Sequence, residues 1–286
     1  MPIRLIALDL DGTLLDSRGQ LSERNRRAVA EARRRGVRVA LVTGRRFRDA
    51  RPLALELGLD VPVISHNGAL TKHARTLETV AALLMPVETA RAVVVAGRAA
   101  GACALVSDDH EGAGVLVYEH LLETNRPLAQ YVAWSRRIHG DEEVDEAIRH
   151  VPSLDAYLDH APVHITFSGS YEGMRQLQET LAARLGARVK LLLTLYAKLD
   201  FGLLDVLHPE ASKGAGLAAL AADERFTREE VMAVGDNLND LEMLEYAGTG
   251  VVMANAEASL RERAEFHTTT TNDEDGVAVA IERFVL

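Results

Sequence analysis

The chain has almost no cysteine: of its 286 residues only Cys103 is one. No intramolecular disulfide can form and no thiol cluster can hold a metal, which suits a reducing compartment. Long apolar runs are also missing. The longest, "ARAVVVAGRAAGACALV" (Ala90–Val106), is broken by Arg98 and is too short to span a bilayer. The first residues, "MPIRLIALDLDG", meet Asp9 too early for a signal peptide and lack a small-residue cleavage site. A cytoplasmic protein is expected. Positive charge is in deficit, with 32 Lys and Arg against 42 Asp and Glu, a formal charge of -10. That excess repels phosphate polymers and anionic lipid, so neither nucleic acid nor membrane is an expected partner. A small phosphorylated substrate is not excluded, because it needs only local positive charge or a metal.

Other signatures are absent too. There is no internal repeat, low-complexity tract or Ser/Gly linker, and no Walker lysine loop. "GTGVVM" (Gly248–Met253) precedes a strand where a dinucleotide loop would follow one. The ten histidines show no zinc spacing; His66 and His73 read as surface or capping residues. Nothing marks an oligomeric interface.

What remains is ordinary globular material, 48% hydrophobic and 26% charged, enough for one large domain or two modest ones. Ile3–Leu8, "VRVALVTG" and "VPVISHNGA" read as strands, as do "VMAVGD", "GTGVVM" and "FHTTTT" later. Helical stretches separate them; one is capped by Ser22, runs through Arg35 and stops at Gly36. Its basic string "RNRRAVAEARRRG" reads as a solvated amphipathic face. Apolar strands alternating with helices predict an α/β fold with a parallel sheet covered on both faces. Asp9, Thr43, Asn67 and Asp236 each stand where such a strand ends, which is where ligands collect in these sheets. The middle reads as an inserted α/β domain, with strands "APVHITFSG" and "RVKLLLTLY" and helices near Leu121–Arg137 and Tyr171–Gly186. The expected division is residues 1–85 and 200–286 for the core and 86–199 for the insert. Within the insert, "SDDHEG" (Ser107–Gly112) reads as a solvated turn and Trp134 as a packing residue.

The chemistry starts at "IALDLDGTLL" (Ile6–Leu15). Two carboxylates two residues apart on an extended chain point the same way and repel, unless a cation lies between them or one holds a proton. A hard cation such as Mg²⁺ takes oxygen ligands and tolerates a phosphate in its shell. Asp9 could then attack phosphorus, with Asp11 giving a proton to the leaving oxygen and later taking one from water. The same string also suits a strand-to-helix turn capped by aspartates. Gly12 allows a tight turn and a close approach; Thr13 can steady it.

"DLDGT" resembles the first motif of the haloacid-dehalogenase-like (HAD) superfamily, whose members mostly transfer phosphoryl groups through an aspartate. The family's other motifs have counterparts in order: "VALVTGR" with Thr43, Gly44 and Arg45; "ASKG" with Lys213 at a helix start; and "VMAVGDNLNDLEML" with Asp236, Asn239 and Asp240. "NGA" (Asn67–Ala69), "GDNLNDLEM" and "TNDEDGVA" resemble the Cof-type phosphatases, which carry a large α/β cap. The resemblance implies a Rossmann-like core with that cap inserted, the cap closing over substrate and choosing the leaving group. It implies Asp9 as nucleophile, Asp11 as acid/base, and Thr43 and Lys213 as catalytic partners. Mg²⁺ would be held by Asp9, the Asp11 backbone carbonyl and Asp236. Phosphate would be held by the Leu10 N–H, Thr43, Gly44, Lys213 and Asn239. Asp240 and Asn67 would support these from behind. The function implied is an Mg²⁺-dependent phosphatase of small phosphomonoesters working through a phospho-aspartate. A phosphotransferase or mutase of the phosphomannomutase kind shares the first motif. An inactive phosphoester-binding module would require a lost motif residue, and none is lost.

Overall fold

The computed structural model describes residues 1–108, 110–120, 129, 146–196 and 200–286. Trp134, the expected helix Leu121–Arg137 and Asp109 of "SDDHEG" therefore lie outside the described residues, apart from Ala129. The chain divides into two compact units: Met1–Ala81 with Ser212–Leu286, and Ala82–Ala211.

The first unit carries β1 (Leu5–Leu8), β2 (Arg38–Leu41), β3 (Val63–Ser65), β4 (Leu70–Lys72) and β5 (Thr79–Ala82), whose last residue falls at the division. Strands β6 (Ala104–Asp108), β7 (Val115–Tyr118), β8 (Ile148–His150), β9 (His164–Gly169), β10 (Lys190–Tyr196) and β11 (Phe201–Leu207) belong to the second unit. The chain then returns to the first unit for β12 (Val231–Gly235), β13 (Thr249–Val252) and β14 (His267–Thr268).

The main sheet is five-stranded, in the order β14-β13-β12-β1-β2, and every pairing in it is parallel. β1 and β12, two of its interior strands, are wholly buried. Successive side chains alternate between the two faces. Leu5, Ala7, Val231 and Ala233 join one core with Leu217, Leu220 and Leu244 from the helices Lys213–Asp223 and Leu241–Tyr246. Ile6, Leu8, Met232 and Val234 point to the other face. The helix Glu23–Arg34 packs against β2 and against the C-terminal helix Gly276–Phe284. Ser22 caps the first of these helices by accepting from the Asn25 N–H, and Gly36 follows it in the left-handed region. Each fully buried Leu, Ile or Val contributes about 1.5–3 kcal/mol, so these strands outweigh the exposed ion pairs on the helix surfaces.

The third expected strand behaves differently. β3 meets the main sheet through a bridge between Val42 and Ile64, the Thr43 N–H to Ile64 carbonyl bond of 2.8 Å, and the packing of Ile64 in the shared core. It turns back instead into a separate three-stranded sheet, β3-β4-β5, antiparallel between β3 and β4. The reversal comes from three successive residues at positive φ, His66, Asn67 and Gly68. His66 is also buried, with Nδ1 3.1 Å from Ser65 Oγ, and so is not a surface histidine.

In the second unit the described strands form a six-stranded sheet, β10-β11-β9-β6-β7-β8. The apolar residues Val106, Ile165, Phe167 and Val206 pack with Val93, Leu177 and Leu181 from the helices Val87–Ala99 and Tyr171–Leu185. β11 pairs with both β10 and β9, so it is part of this sheet. The return to the first unit thus falls after Ala211, later than the residue 200 expected from sequence. "SDDHEG" is corrected in part. Ser107 and Asp108 end β6 and are buried, with Asp108 Oδ2 accepting from Tyr157 Oη and facing His160 Nε2, both at 2.5 Å. Among the described residues no helix is long and apolar enough to cross a membrane.

Candidate active site

All the site residues expected from sequence lie in the first unit, at strand ends and the turns that follow them. β1 stops at Leu8, and the chain then turns. The Thr13 and Leu15 N–H groups donate to the Leu10 carbonyl, and the Leu14 N–H donates to that of Asp9. Because the extended strand ends there, Asp9 and Asp11 part company. Asp9 is buried, 4% exposed, and faces Lys213. The Asp11 side chain is 60% exposed and is gripped by Arg45, with Nε and Nη2 donating at 2.7 and 2.6 Å. Leu10 between them is fully buried.

Gly12 makes this turn possible. Its φ is +81°, and a Cβ there would collide with Asp236 Oδ2. The loop after β1 and the loop after β12 therefore meet without an intervening side chain. Thr13 fixes the meeting by donating from Oγ1 to Asp236 Oδ1 at 2.9 Å. On the other side, Gly68 packs its backbone on the Ser212 carbonyl, a place closed to any Cβ. Ser212 caps the helix Lys213–Asp223 by accepting from the Ala215 N–H, so Lys213 starts that helix facing inward.

Lys213 is 2% exposed, unlike most lysines, and its ammonium bridges two carboxylates. Nζ lies 2.6 Å from Asp9 Oδ1 and 2.6 Å from Asp240 Oδ1. Asp240 Oδ2 accepts from the backbone N–H groups of Asp236 and Asn237, both at 3.0 Å. Asp9, Asp236 and Asp240 bring carboxylate oxygens within 4.8 Å of one another. Burial pushes the Asp9 carboxyl well above its usual range; Lys213 opposes this, and Asp240 and Asp236 add to it. Asp236 is pushed up to about 6, again by burial first and then by Asp240. The Lys213 ammonium is desolvated, yet Asp240 and Asp9 outweigh that cost and hold it protonated.

More negative charge is gathered here than one ammonium balances. That imbalance, the hard oxygen donors and the opening left by Gly12 beside Asp236 fit a small divalent cation. Asp240 belongs to the cluster by distance, but both its oxygens are already engaged, so it acts as framework.

The remaining expected residues surround this centre. Thr43 is buried, and its Oγ1 accepts from the Arg45 N–H at 3.1 Å. The Asn67 N–H donates to the Thr43 carbonyl at 3.0 Å, and the Asn67 side chain lies against Gly44. Asn239 donates from Nδ2 to Asn67 Oδ1 at 2.9 Å, which links the loop after β12 to the turn after β3. Arg45 is the participant that sequence reading did not assign. Its place directly after the Thr43-Gly44 turn was the available signal; its partner Asp11, across the chain, was not foreseeable from spacing.

The chain is similar to many known proteins along most of its length. A family model described as haloacid dehalogenase-like hydrolase matches residues 6–281. Among curated proteins, YxeH of Bacillus subtilis (strain 168) is 31% identical over 99% of this chain and 98% of its own length. The 5-amino-6-(5-phospho-D-ribitylamino)uracil phosphatase YwtE of the same organism is 29% identical, over 99% of this chain and 98% of its own. Pyridoxal phosphate phosphatase YbhA of Escherichia coli (strain K12) is 29% identical, over 92% of each chain. A solved haloacid dehalogenase-like hydrolase from Bacteroides thetaiotaomicron superposes with a TM-score of 0.81 at 29% identity, covering 98% of this chain and 99% of that one.

Proposed function

Since the chain belongs to the haloacid dehalogenase-like hydrolase family, we propose that it is an Mg²⁺-dependent phosphatase of small phosphomonoesters, working through a phospho-aspartate on Asp9. The observation that carries this reading is the buried Asp9–Lys213–Asp240 bridge at the end of β1, with Asp236 crowded against it. A structural role alone does not call for three carboxylates at one buried lysine.

Lys213 engages Oδ1 of Asp9, leaving Oδ2 as the attacking oxygen. That oxygen forms a bond to phosphorus while the bond from phosphorus to the leaving oxygen breaks. Asp11 carries the proton to that oxygen. Water then attacks the phospho-aspartate, Asp11 takes the water's proton, and Asp9 is regenerated as inorganic phosphate leaves. The Thr43 hydroxyl, the Gly44 and Leu10 N–H groups, Asn239 and Lys213 are assigned to the phosphate oxygens. To serve as acid/base, Asp11 must leave Arg45, and an arriving phosphate competes for that guanidinium. Asp9, Asp236 and the Asp11 backbone carbonyl would hold Mg²⁺, which when bound neutralises charge between the nucleophile and the phosphate. Asp240 and Asn67 keep Lys213, Asp236 and Asn239 in place.

The named substrates of the relatives, a ribitylaminouracil phosphate and pyridoxal phosphate, are both small metabolite phosphomonoesters. We assign this chain that substrate class and, with its single cysteine, the reducing cytoplasm. The test is phosphate release from both compounds and a set of sugar and nucleoside monophosphates, with Mg²⁺ and with EDTA. Mg²⁺-dependent release is expected. Release that is indifferent to EDTA would overturn the metal assignment, and transfer to a second sugar without release would favour a phosphotransferase.

A further inference from the structure

The segment "TNDEDGVA" near the C-terminus has no part in the chemistry above, yet it is wired into the loop that follows the nucleophile. Asn272, 8% exposed, donates from Nδ2 to the Leu15 carbonyl at 2.9 Å. Its own N–H donates to Asn255 Oδ1 at 2.9 Å, and Asn255 Nδ2 donates to the Gly12 carbonyl at 2.8 Å. Asn25, fully buried, donates from Nδ2 to the Leu14 carbonyl at 3.1 Å and accepts the Ala278 N–H at 2.9 Å. The Ser17 N–H donates to Asp273 Oδ1 at 2.8 Å.

These bonds share a pattern. Gly12, Leu14 and Leu15 belong to the turn after β1, where the backbone is paired among the described residues by isolated bridges, Asp11 to Leu15 and Leu15 to Leu21, and by no regular strand. Leu14 and Leu15 are buried, and buried carbonyls must find donors. The carboxamides of Asn25 and Asn272 supply them, and that of Asn255 serves the half-buried Gly12. Two of these three also accept a backbone N–H of the C-terminal segment, Asn25 from Ala278 and Asn255 from Asn272. A carboxamide can join a carbonyl to an N–H because it carries a donor and an acceptor side by side. Thr13, between the tied carbonyls, spends its hydroxyl on Asp236. The loop is thus held at Gly12, Thr13, Leu14 and Leu15, and the ties from Asn255 and Asn272 reach far along the chain.

We propose that Asn25, Asn255 and Asn272 are positioning residues that strap the Gly12–Leu15 loop to the C-terminal segment and so set the place of Asp11 and Gly12 beside Asp9. The catalytic meaning of the strap rests on the phosphatase reading; the strap itself does not. The Asn→Asp change is a sharp probe, because it removes the Nδ2 donor and keeps an acceptor. Asn272→Asp loses the tie to Leu15. Asn255→Asp loses the tie to Gly12 and, being at an exposed position, leaves folding undisturbed even where the buried variant fails.

The experiment combines amide hydrogen exchange of the purified full chain with steady-state kinetics well below each variant's melting temperature. Loss of one tie should speed exchange of the amides of residues 10–17 by about tenfold, with β1 and β12 unchanged. The kcat per folded molecule should fall by about tenfold while KM stays within about twofold, the split expected when transition-state geometry and not binding is lost. Unchanged exchange in the loop of Asn255→Asp would overturn the strap. Faster exchange with wild-type kcat per folded molecule would show a structural tie only and overturn the positioning role. If the wild-type chain releases no phosphate, the phosphatase reading fails, and the exchange result still decides the strap.

Discussion

Removing the Lys213 ammonium is the most informative perturbation of the site. Lys213→Met keeps the length and apolar body of the side chain, so it leaves little cavity and deletes chiefly the charge. Two ion pairs go at once, each 2.6 Å in length, and Asp240 and Asp9 are left facing each other in a buried site. Breaking one buried pair by removing a partner costs about 3–5 kcal/mol. Two acceptors are orphaned here, which argues for the upper half of that range. Asp9 can soften the loss by taking up a proton, since its carboxyl is already pushed upward. A loss of about 3–4 kcal/mol in metal-free protein is therefore expected. The assay is urea unfolding in EDTA, followed by circular dichroism, with Asp240→Asn and the double variant completing a thermodynamic cycle. The double variant should be more stable than the sum of the single losses by about 1–3 kcal/mol. A single-variant loss below about 1 kcal/mol, or additive losses, would refute the reasoning: Lys213 would then not be the counter-ion that holds the carboxylates together.

Other outcomes follow from the same geometry. Gly12→Ala places a Cβ against Asp236 Oδ2 in a left-handed turn, so it should cost about 1–2 kcal/mol of stability. It should also abolish the rise in melting temperature produced by Mg²⁺, read by a thermal-shift titration; a normal rise would put the cation elsewhere. Arg45→Met releases Asp11 but removes a contact to an exposed carboxylate, so stability should change by less than about 1 kcal/mol. Its kcat/KM should fall by about tenfold, mainly through KM, because the phosphate loses a cation. An unchanged KM would separate Arg45 from substrate. In the second unit, the Asp159 and then Asp108 carboxylates hold His160 above its usual range, with Arg91 near Asp159 and the Tyr157 ring at 5.3 Å. A raised histidine stabilises fully below its unfolded value of about 6.5, and that contribution is lost as pH rises through the folded value. Thermal melts of the wild type from pH 6 to 8.5 should show this decline and His160→Gln should flatten it; parallel curves would refute the pairing.

Much of the first unit could be read from the chain because its signals are local. The runs at β1 and β12 are apolar throughout, those at β2 and β13 nearly so, and Ser22, Ser212 and Gly36 punctuate helices in the ordinary way. Asp9, Thr43, Asn67 and Asp236 could be brought together because each stands where an apolar run ends, and Lys213 because it starts a helix in the order of the resembled motifs. What escaped depends on partners distant in sequence or on unusual backbone. β3 was expected as a strand of the parallel sheet, but the chain reverses after it at His66 and Asn67, non-glycine residues at positive φ, and β3 pairs antiparallel with β4. β11 is as apolar as a core strand, and only its antiparallel pairing with β9 and β10 assigns it to the second unit. Ser107 and Asp108 look solvated until Tyr157 and His160 are seen to cover the carboxylate. The Arg45–Asp11 pair and the three asparagines are side-chain ties across the fold, and composition carries no trace of them.

The central claim is that Asp9 itself becomes phosphorylated. The direct measurement is mass spectrometry of acid-quenched enzyme, caught during turnover of its best phosphomonoester and digested with protease. The account predicts one added phosphoryl group on the peptide that contains Asp9, and none in Asp9→Asn. Full turnover with no phosphorylated peptide, or the group on another residue, would contradict it.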